Sequence, residues 1–567
     1  QQAVDSFEPL LSACSSKLRA ASIALPPRPD VFRCLAEGVH HRFTNVYSVL
    51  LVRYGLDVAY LENDAQPAPP THAREVLEPS LMLGLIGWER RYESTMAALG
   101  AGRGRVLLTP EAQQALIAAY QRATRQLMRQ WASNILFAEE QAMTAQPAHT
   151  AESTGGRIAM LLPQGIVTMP YGGQQELYFT EMHLDLFRIV NEHVELGLST
   201  AIEVLLFNLL IGVGDFVADV QSMLLLRLRQ HWRRLSFVYL CALVNNCARC
   251  IELWEQLLRS CTAGDHAGTL SEPLVRSLHL GYVIDGFVNL SRSAMQLASH
   301  QVLLQLEAPL TTLFGGKPHQ PTEIGALVSH FLRLVHDGVV GELAVRLSAL
   351  TLEHLYIAYG VMIFIGQPSL AGDSAAVLRR DLDVLGGLLG EHCAAGPFAS
   401  RHKAKARQRA EWVLALLGKL HELLEMLLRP PPERSAADEP EEADRLGAAV
   451  LQLCAHAGDV PREALLRLLG RCQRRELRGA VLSRRRAAVL AAHERHMSAG
   501  GTLPGLPHMP SATSWAGRSG ESVAVSEGAA EAPRFFPTVE DALQLGRRFT
   551  IGRLLELAVR GTGRGSG

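Results

Sequence analysis

The sequence predicts an all-α protein, an elongated rod of consecutive helical bundles. Three observations carry that expectation. Apolar residues recur at i, i+3, i+4 and i+7 through most of the chain, the period of an amphipathic helix. Leu, Ala, Arg and Glu, all good helix formers, dominate a chain of 567 residues that is 48% hydrophobic. Alternating Val, Ile and Thr patterns, the mark of strands, are scarce. The helical stretches are grouped between Pro- and Gly-rich breaks. No repeat at the ankyrin, tetratricopeptide or HEAT period is found, so stacked bundles are favoured over a solenoid.

Residues 1–29 read as the end of a preceding helical element and a linker, closed by Pro26, Pro27 and Pro29. With no initiator Met at Gln1, the chain is expected to be truncated. A first bundle is expected over 30–150. Its opening helix runs from Asp30 to Tyr54 with Val31, Leu35, Val39, Val46 and Leu50 as its inward face. A helix over 77–99 carries Trp88, Tyr92 and Met96 at i, i+4, i+8. Thr109 followed by Pro110 is an N-cap with Pro at the first helical position. The helix it opens places Leu116, Tyr120, Leu127, Trp131, Ile135 and Leu136 on one apolar side. Residues 144–173 are rich in Gly, Pro, Ser and Thr, and a flexible loop is expected over 151–177.

A second bundle is expected over 178–316, opening with YFTEMHLDLFRIVNEHVELGLS. Thr180 is read as its N-cap and Glu181 as an acid in the positively polarised first turn. Leu186, Phe187, Ile189, Val190 and Val194 are expected to be core. Asp185, Arg188, Asn191, Glu192 and Glu195 form the wet face. A third bundle is expected over 317–430, ending in a helix with Trp412, Leu416, Leu420, Leu423 and Leu427 inward. An acidic Pro-rich linker (431–444), a small basic helical unit (445–499) and a low-complexity tail with short helices (500–567) follow.

Lys plus Arg (55) nearly equal Asp plus Glu (56), which argues against a dedicated nucleic-acid binder. The nine Cys are odd in number and irregularly spaced, as in a reduced protein without a disulfide framework. Val204–Gly214 is uncharged but too short to span a bilayer. Leu355–Gly372 is near the minimum length but contains Gln367 and Pro368. Both read as buried core helices, which leaves a peripheral role for any membrane contact.

The chemistry of catalysis is not visible. There is no Gly-x-Ser-x-Gly elbow, no phosphate loop of the GxxxxGK[ST] type and no HExxH. The glycines of Gly100–Gly104 lack a preceding strand and read as a helix terminator. Cys247 and Cys250 have no second pair and read as core cysteines. His493 and His496 read as a solvated surface. No catalytic, cofactor or metal residue is assigned. The charged feature that stands out is the basic stretch 462–495, which reads as a solvated or internally paired face, with Arg471, Arg474, Arg475, Arg478, Arg484, Arg485 and Arg486 as candidate contacts for an acidic partner or anionic lipid.

Four stretches in order resemble a known family. They are LGLIGWERRYESTMAALG, with Trp88, Tyr92 and Met96; ALIAAYQRATRQLMRQWASNILFAEEQ, with Tyr120, Met128, Trp131, Asn134 and Glu139; the Thr180–Leu196 segment; and Ala242–Cys247 with its Asn-Asn-Cys. Their order and spacing resemble the exocyst complex component 3 family, the "sec-six" subunit of the exocyst vesicle-tethering complex. The likeness is best over 30–261, looser to about 359, and fades beyond Pro430. The family's N-terminal coiled coil is not found. The resemblance implies a non-enzymatic tethering subunit without cofactors. It implies assembly with other exocyst subunits, contacts to SNARE proteins and anionic phospholipid, and a cytoplasmic place at the plasma membrane where secretory vesicles dock before fusion. The alternative is a stand-alone helical adaptor or membrane-remodelling protein of the related paralogue group. Trp88, Tyr92, Met96, Trp131, Leu186 and Phe187 are expected to be structural core under either reading.

Overall fold

The computed structural model describes residues 7–24, 29–53, 79–99, 107–108, 110–145, 162–171, 175–200, 202–232, 234–262, 270–314, 322–365, 372–393, 401–428, 439–457, 465–466, 468–469, 472 and 479–498. Among these, fifteen helices and one two-stranded hairpin are formed. The first four helices are α1 (Phe7–Ala24), α2 (Pro29–Arg53), α3 (Pro79–Ala98) and α4 (Pro110–Thr144). The hairpin β1 (Val167–Tyr171) and β2 (Gln175–Phe179) follows. Next come α5 (Met182–Ser199), α6 (Glu203–His231), α7 (Phe237–Thr262), the short α8 (Glu272–Ser277) and α9 (Gly281–Phe314). The last six are α10 (Thr322–Gly338), α11 (Gly341–Ile365), α12 (Gly372–His392), α13 (Arg401–Leu428), α14 (Glu439–Ala457) and α15 (Gly479–Ser498). The protein is all-α in class. Its surface ion pairs are mostly one helical turn apart, such as Arg33–Glu37, Arg188–Asp185 and Arg445–Glu441, and support helices locally.

Two compact units divide the chain. One takes in Gln1–Gln141, Thr180–Arg227 and Asn246–Leu290; the other takes in Ala142–Phe179, Leu228–Asn245 and Ser291–Gly567.

The core of the first unit is aromatic. Phe43 and Tyr47 of α2 meet Trp88 and Tyr92 of α3. Ring centroids lie 5.6 Å apart for Tyr47–Trp88, 5.5 Å for Phe43–Trp88 and 5.3 Å for Phe43–Tyr92. Such offset and tilted pairs add to plain area burial. Leu85, Ile86, Met96, Leu116 and Tyr120 complete the cluster. The phenols of Tyr47 and Tyr92 find partners: Tyr47 Oη donates to Leu85 O at 2.8 Å, and Tyr92 Oη lies 3.0 Å from His40 Nδ1. This cluster sets the rotation of α2 and shifts the expected inward face, of which Val39 still packs on the cluster and the Leu50 side chain lies outside the description. Ala36, Phe43 and Tyr47 are buried, while Val31, Leu35 and Val46 are exposed. The buried face is turned by under a quarter of a turn towards Phe43 and Tyr47, whose ring pairing adds to plain area burial.

The second unit is aliphatic. Leu352, Leu355 and Tyr359 of α11 pack with Leu378, Leu385 and Leu389 of α12 and Leu416, Leu417, Leu420, Leu423, Leu424 and Leu427 of α13. Val450 and Leu453 of α14 and Val489 of α15 extend the same core. The expected apolar face of α13 is the buried one.

The segment read as loop holds the hairpin, with Val167 opposite Phe179 and Tyr171 opposite Gln175. Two five-residue strands with Pro170 inside one of them are too short for period-two patterning to stand out. The hairpin is tied to its own unit by Asn245 of α7. The Asn245 amide donates to Tyr178 O and Gly338 O, both at 2.7 Å, and its Oδ1 accepts the Val340 N–H at 3.0 Å. Gly338 is needed there, because a Cβ would sit 1.9 Å from the Tyr178 ring.

Candidate functional site

Trp88, Tyr92 and Met96 are fully buried, as are Leu186 and Phe187. Trp131 is only half-buried and meets His193 edge-on, with centroids 5.5 Å apart. It is therefore a boundary residue and not core.

The helix start at Thr180 is displaced by one residue from expectation. Glu181 occupies the N-cap position without a side-chain cap, and Met182 opens the helix. Thr180 Oγ1 still accepts the Met182 N–H, at 3.4 Å, and takes a second hydrogen bond from Asn246 Nδ2 at 2.5 Å. His183 Nδ1 lies 3.1 Å from both Thr180 O and Asn246 Oδ1. Two acceptors around one nitrogen put the proton on Nδ1. Burial pushes the His183 pKa down, so the ring stays neutral. The adjacent asparagines of Ala242–Cys247 thus serve two polar junctions: Asn245 ties the hairpin, and Asn246 ties the start of α5. Both are structural.

Cys247 and Cys250 are buried free thiols whose pKa values burial pushes up, which suppresses thiolate chemistry. Among the described residues no group of three or more His, Cys, Asp or Glu side chains is placed to hold a metal. Gly100–Gly104 lies outside the described residues.

The basic stretch needs correction. Arg484 and Arg486 of α15 are exposed, but Arg485 is buried, and its guanidinium donates to Leu427 O at 3.1 Å, one of the last carbonyls of α13, an end that a cation suits. Successive helical residues point about 100° apart, so three arginines in a row cannot share a face. His493 and His496, read as solvated, are also buried. Arg471, Arg474, Arg475 and Arg478 lie outside the described residues.

Sequence reasoning overlooked one surface feature in the first unit. Between α4 and α6 lies a cleft of about 360 Å³. Arg125 and Arg129 line one wall, Asp215 and Asp219 the other, and Met128 and Phe216 are buried at its base. The signal was available as two like-charge pairs at i, i+4, which weaken a helix and call for an external reason. The helix α6 is also long and apolar enough to cross a membrane, with half of the relevant window buried. The short run Val204–Gly214 understated this, because the apolar stretch resumes after Asp219.

These features define an all-α protein whose polar side chains fasten its own elements. The sequence comparison agrees in kind. Residues 71–391, more than half of the chain, match the family described as exocyst complex component Sec6, and the chain belongs to that family. It is a family of structural components of a vesicle-tethering complex. Among solved structures, the chain is similar to the C-terminal domain of the exocyst subunit Sec6p. The two are 13% identical, with 70% of this chain and 96% of that chain covered at a TM-score of 0.49. It is similar also to M-Sec, at 12% identity, with 90% of this chain and 75% of that chain covered at a TM-score of 0.46. The family assignment rests on the sequence match.

Proposed function

We propose that this chain is a non-enzymatic exocyst subunit of the component 3 type. It assembles with other exocyst subunits and tethers secretory vesicles to the plasma membrane before SNARE-mediated fusion, working in the cytoplasm as a peripheral membrane protein. The match to the Sec6 family over 71–391 carries this reading. The burial of Trp88, Tyr92 and Met96 supports it, since family-like residues that build the core leave the surface for assembly. Contact with SNARE proteins and with anionic phospholipid belongs to the same proposal. The candidates for the lipid contact are Arg484 and Arg486, which are exposed, and Arg471, Arg474, Arg475 and Arg478, which lie outside the described residues. The working division of the chain into bundles over 30–150, 178–316 and 317–430 and a basic unit over 445–499 is proposed on the same footing.

Affinity purification from the native source, followed by mass spectrometry, tests the proposal. Stoichiometric recovery of the other exocyst subunits is expected. Recovery of the chain alone, with binding to vesicles of anionic lipid, would replace it with the stand-alone membrane-remodelling alternative.

A further inference from the structure

The α4–α6 cleft has properties that the fold does not require. Arg125 and Arg129 are exposed one turn apart on α4, and Asp215 and Asp219 are exposed one turn apart on α6. Among the described residues neither arginine forms an ion pair. The two acids do not neutralise them across the gap, and Asp215 instead accepts a hydrogen bond from Tyr282 Oη at 3.0 Å. Each pair repels itself along its own helix. The helices run parallel and in step, because Glu140 of α4 pairs with Arg227 of α6 at 3.4 Å, near the offset that sets Met128 beside Phe216.

Three observations say what would cover this cleft. Its base is apolar, lined by Met128 and Phe216, which the fold already covers for the most part. The same side of α6 continues past Asp219 into the exposed Met223 and Leu226. The charged walls are opposite in sign, so an occupant must carry acid on one flank and base on the other. A lipid surface, with anionic headgroups only, meets the aspartate wall with repulsion. An extended peptide turns alternate side chains to opposite faces, so it sets a single row towards the cleft and cannot offer an apolar seam with acid on one flank and base on the other. A helix of three to four turns presents apolar residues at i, i+3, i+4 and i+7 along one seam with charges on both flanks, which is the pattern the cleft complements.

We propose that the α4–α6 cleft is the docking groove for an amphipathic helix of a partner protein. The apolar seam of that helix packs on the exposed Met223 and Leu226 and passes over the mostly covered Met128 and Phe216. Its acidic flank faces Arg125 and Arg129, and its basic flank faces Asp215 and Asp219. The opposed walls fix the direction of the docked helix, since reversing it would set like charges together. This goes beyond membership of a complex, because it names the surface and the chemistry of its ligand.

Gly212 lies beside the cleft, and a Cβ placed on it meets nothing within 4 Å. Gly212→Trp therefore fills the groove from outside and leaves the core alone. The full chain is titrated with three synthetic helical peptides sharing one leucine seam: one with Glu and Lys on opposite flanks, one with Lys on both, and one with Glu on both. The first is expected to bind at least tenfold more tightly than the other two. Gly212→Trp is expected to weaken it at least tenfold, and Arg125→Glu with Arg129→Glu is expected to shift preference to the all-Lys peptide. Circular dichroism of each variant confirms that the fold is kept. Equal binding of all three peptides, or binding unchanged by both variants, overturns the proposal. A photo-crosslinker at position 212 in the natively purified complex gives the second arm. Crosslinks to an amphipathic segment with this charge pattern are expected; crosslinks to lipid, or none in a complex that is otherwise intact, would reject it. Loss of the complex as a whole would refute the tether reading, and an intact complex with an empty groove would refute the groove alone.

Discussion

The two units bury their apolar surface in different ways. The first gathers Phe43, Tyr47, Trp88 and Tyr92 into one aromatic cluster with a carboxyl group, Glu89, beside it. The second fills its interior with leucines from α11 to α14, interrupted by polar pairs such as Tyr359–Asp381 and by the imidazoles of His300 and His354, whose rings lie 5.4 Å apart. An aromatic cluster has few alternatives, since a ring of that size and a phenol with a fixed acceptor cannot be exchanged freely. A leucine core tolerates volume-conserving swaps. That difference explains why recognisable residues concentrate in the first unit and why resemblance fades along the chain while the helices continue.

The comparison can be broken most directly at Trp88. Trp88→Ala should cost about 3–5 kcal/mol in urea denaturation, through lost transfer energy and a cavity the other rings cannot fill. Trp131→Ala, at a half-buried site, should cost only about 1–2 kcal/mol. Equal costs would show that the cluster has no special weight.

The second test is pH. Burial raises the Glu89 carboxyl to about 7, against one favourable hydrogen bond from the Leu108 N–H at 3.2 Å. Its contribution is present below the ordinary carboxylate pKa and is lost as pH rises through about 7. Burial lowers His300 to about 4, so its contribution is present above the ordinary imidazole pKa near 6.5 and is lost as pH falls from there towards 4. Each shift corresponds to about 3 kcal/mol at most. Over pH 4 to 7.5 the two contributions slope in opposite directions, so urea midpoints across that range should show Glu89→Gln removing the fall with rising pH and His300→Leu removing the fall with falling pH. Slopes that neither variant changes would contradict this assignment.

Asn245→Ala comes next. It strands Tyr178 O, Gly338 O and the Val340 N–H, and should cost roughly 1–3 kcal/mol. Hydrogen exchange should quicken in the hairpin and at the α10–α11 turn, while the aromatic cluster stays protected. The smallest effect is expected for Leu417→Met in α13, below about 1.5 kcal/mol, because methionine refills the same volume. A larger loss would show that the leucine core is as particular as the aromatic one.

Much of the fold could be read from residue order. Trp88, Tyr92 and Met96 recur at i, i+4 and i+8, and they do share one buried stripe. The leucines of α13 likewise share theirs. Errors arose wherever two faces of a helix competed. On α2 the aliphatic stripe lost to Phe43 and Tyr47, and on α15 Arg485 turned inward to a carbonyl of α13. The hairpin was hidden by its shortness. The α4–α6 cleft was hidden because its walls are 90 residues apart at Arg125 and Asp215, and only like-charge spacing within each wall hinted at it.

Helical periodicity, cap and breaker residues act over a few neighbours, so the all-α class, most helices and the family are legible in the linear chain. Which face of each helix is wet, which histidines and arginines lose their solvent, and where opposite charges confront each other depend on partners distant in sequence. Those are settled by competition for burial and by the cost of desolvating a charge, quantities that exist only once the helices have packed.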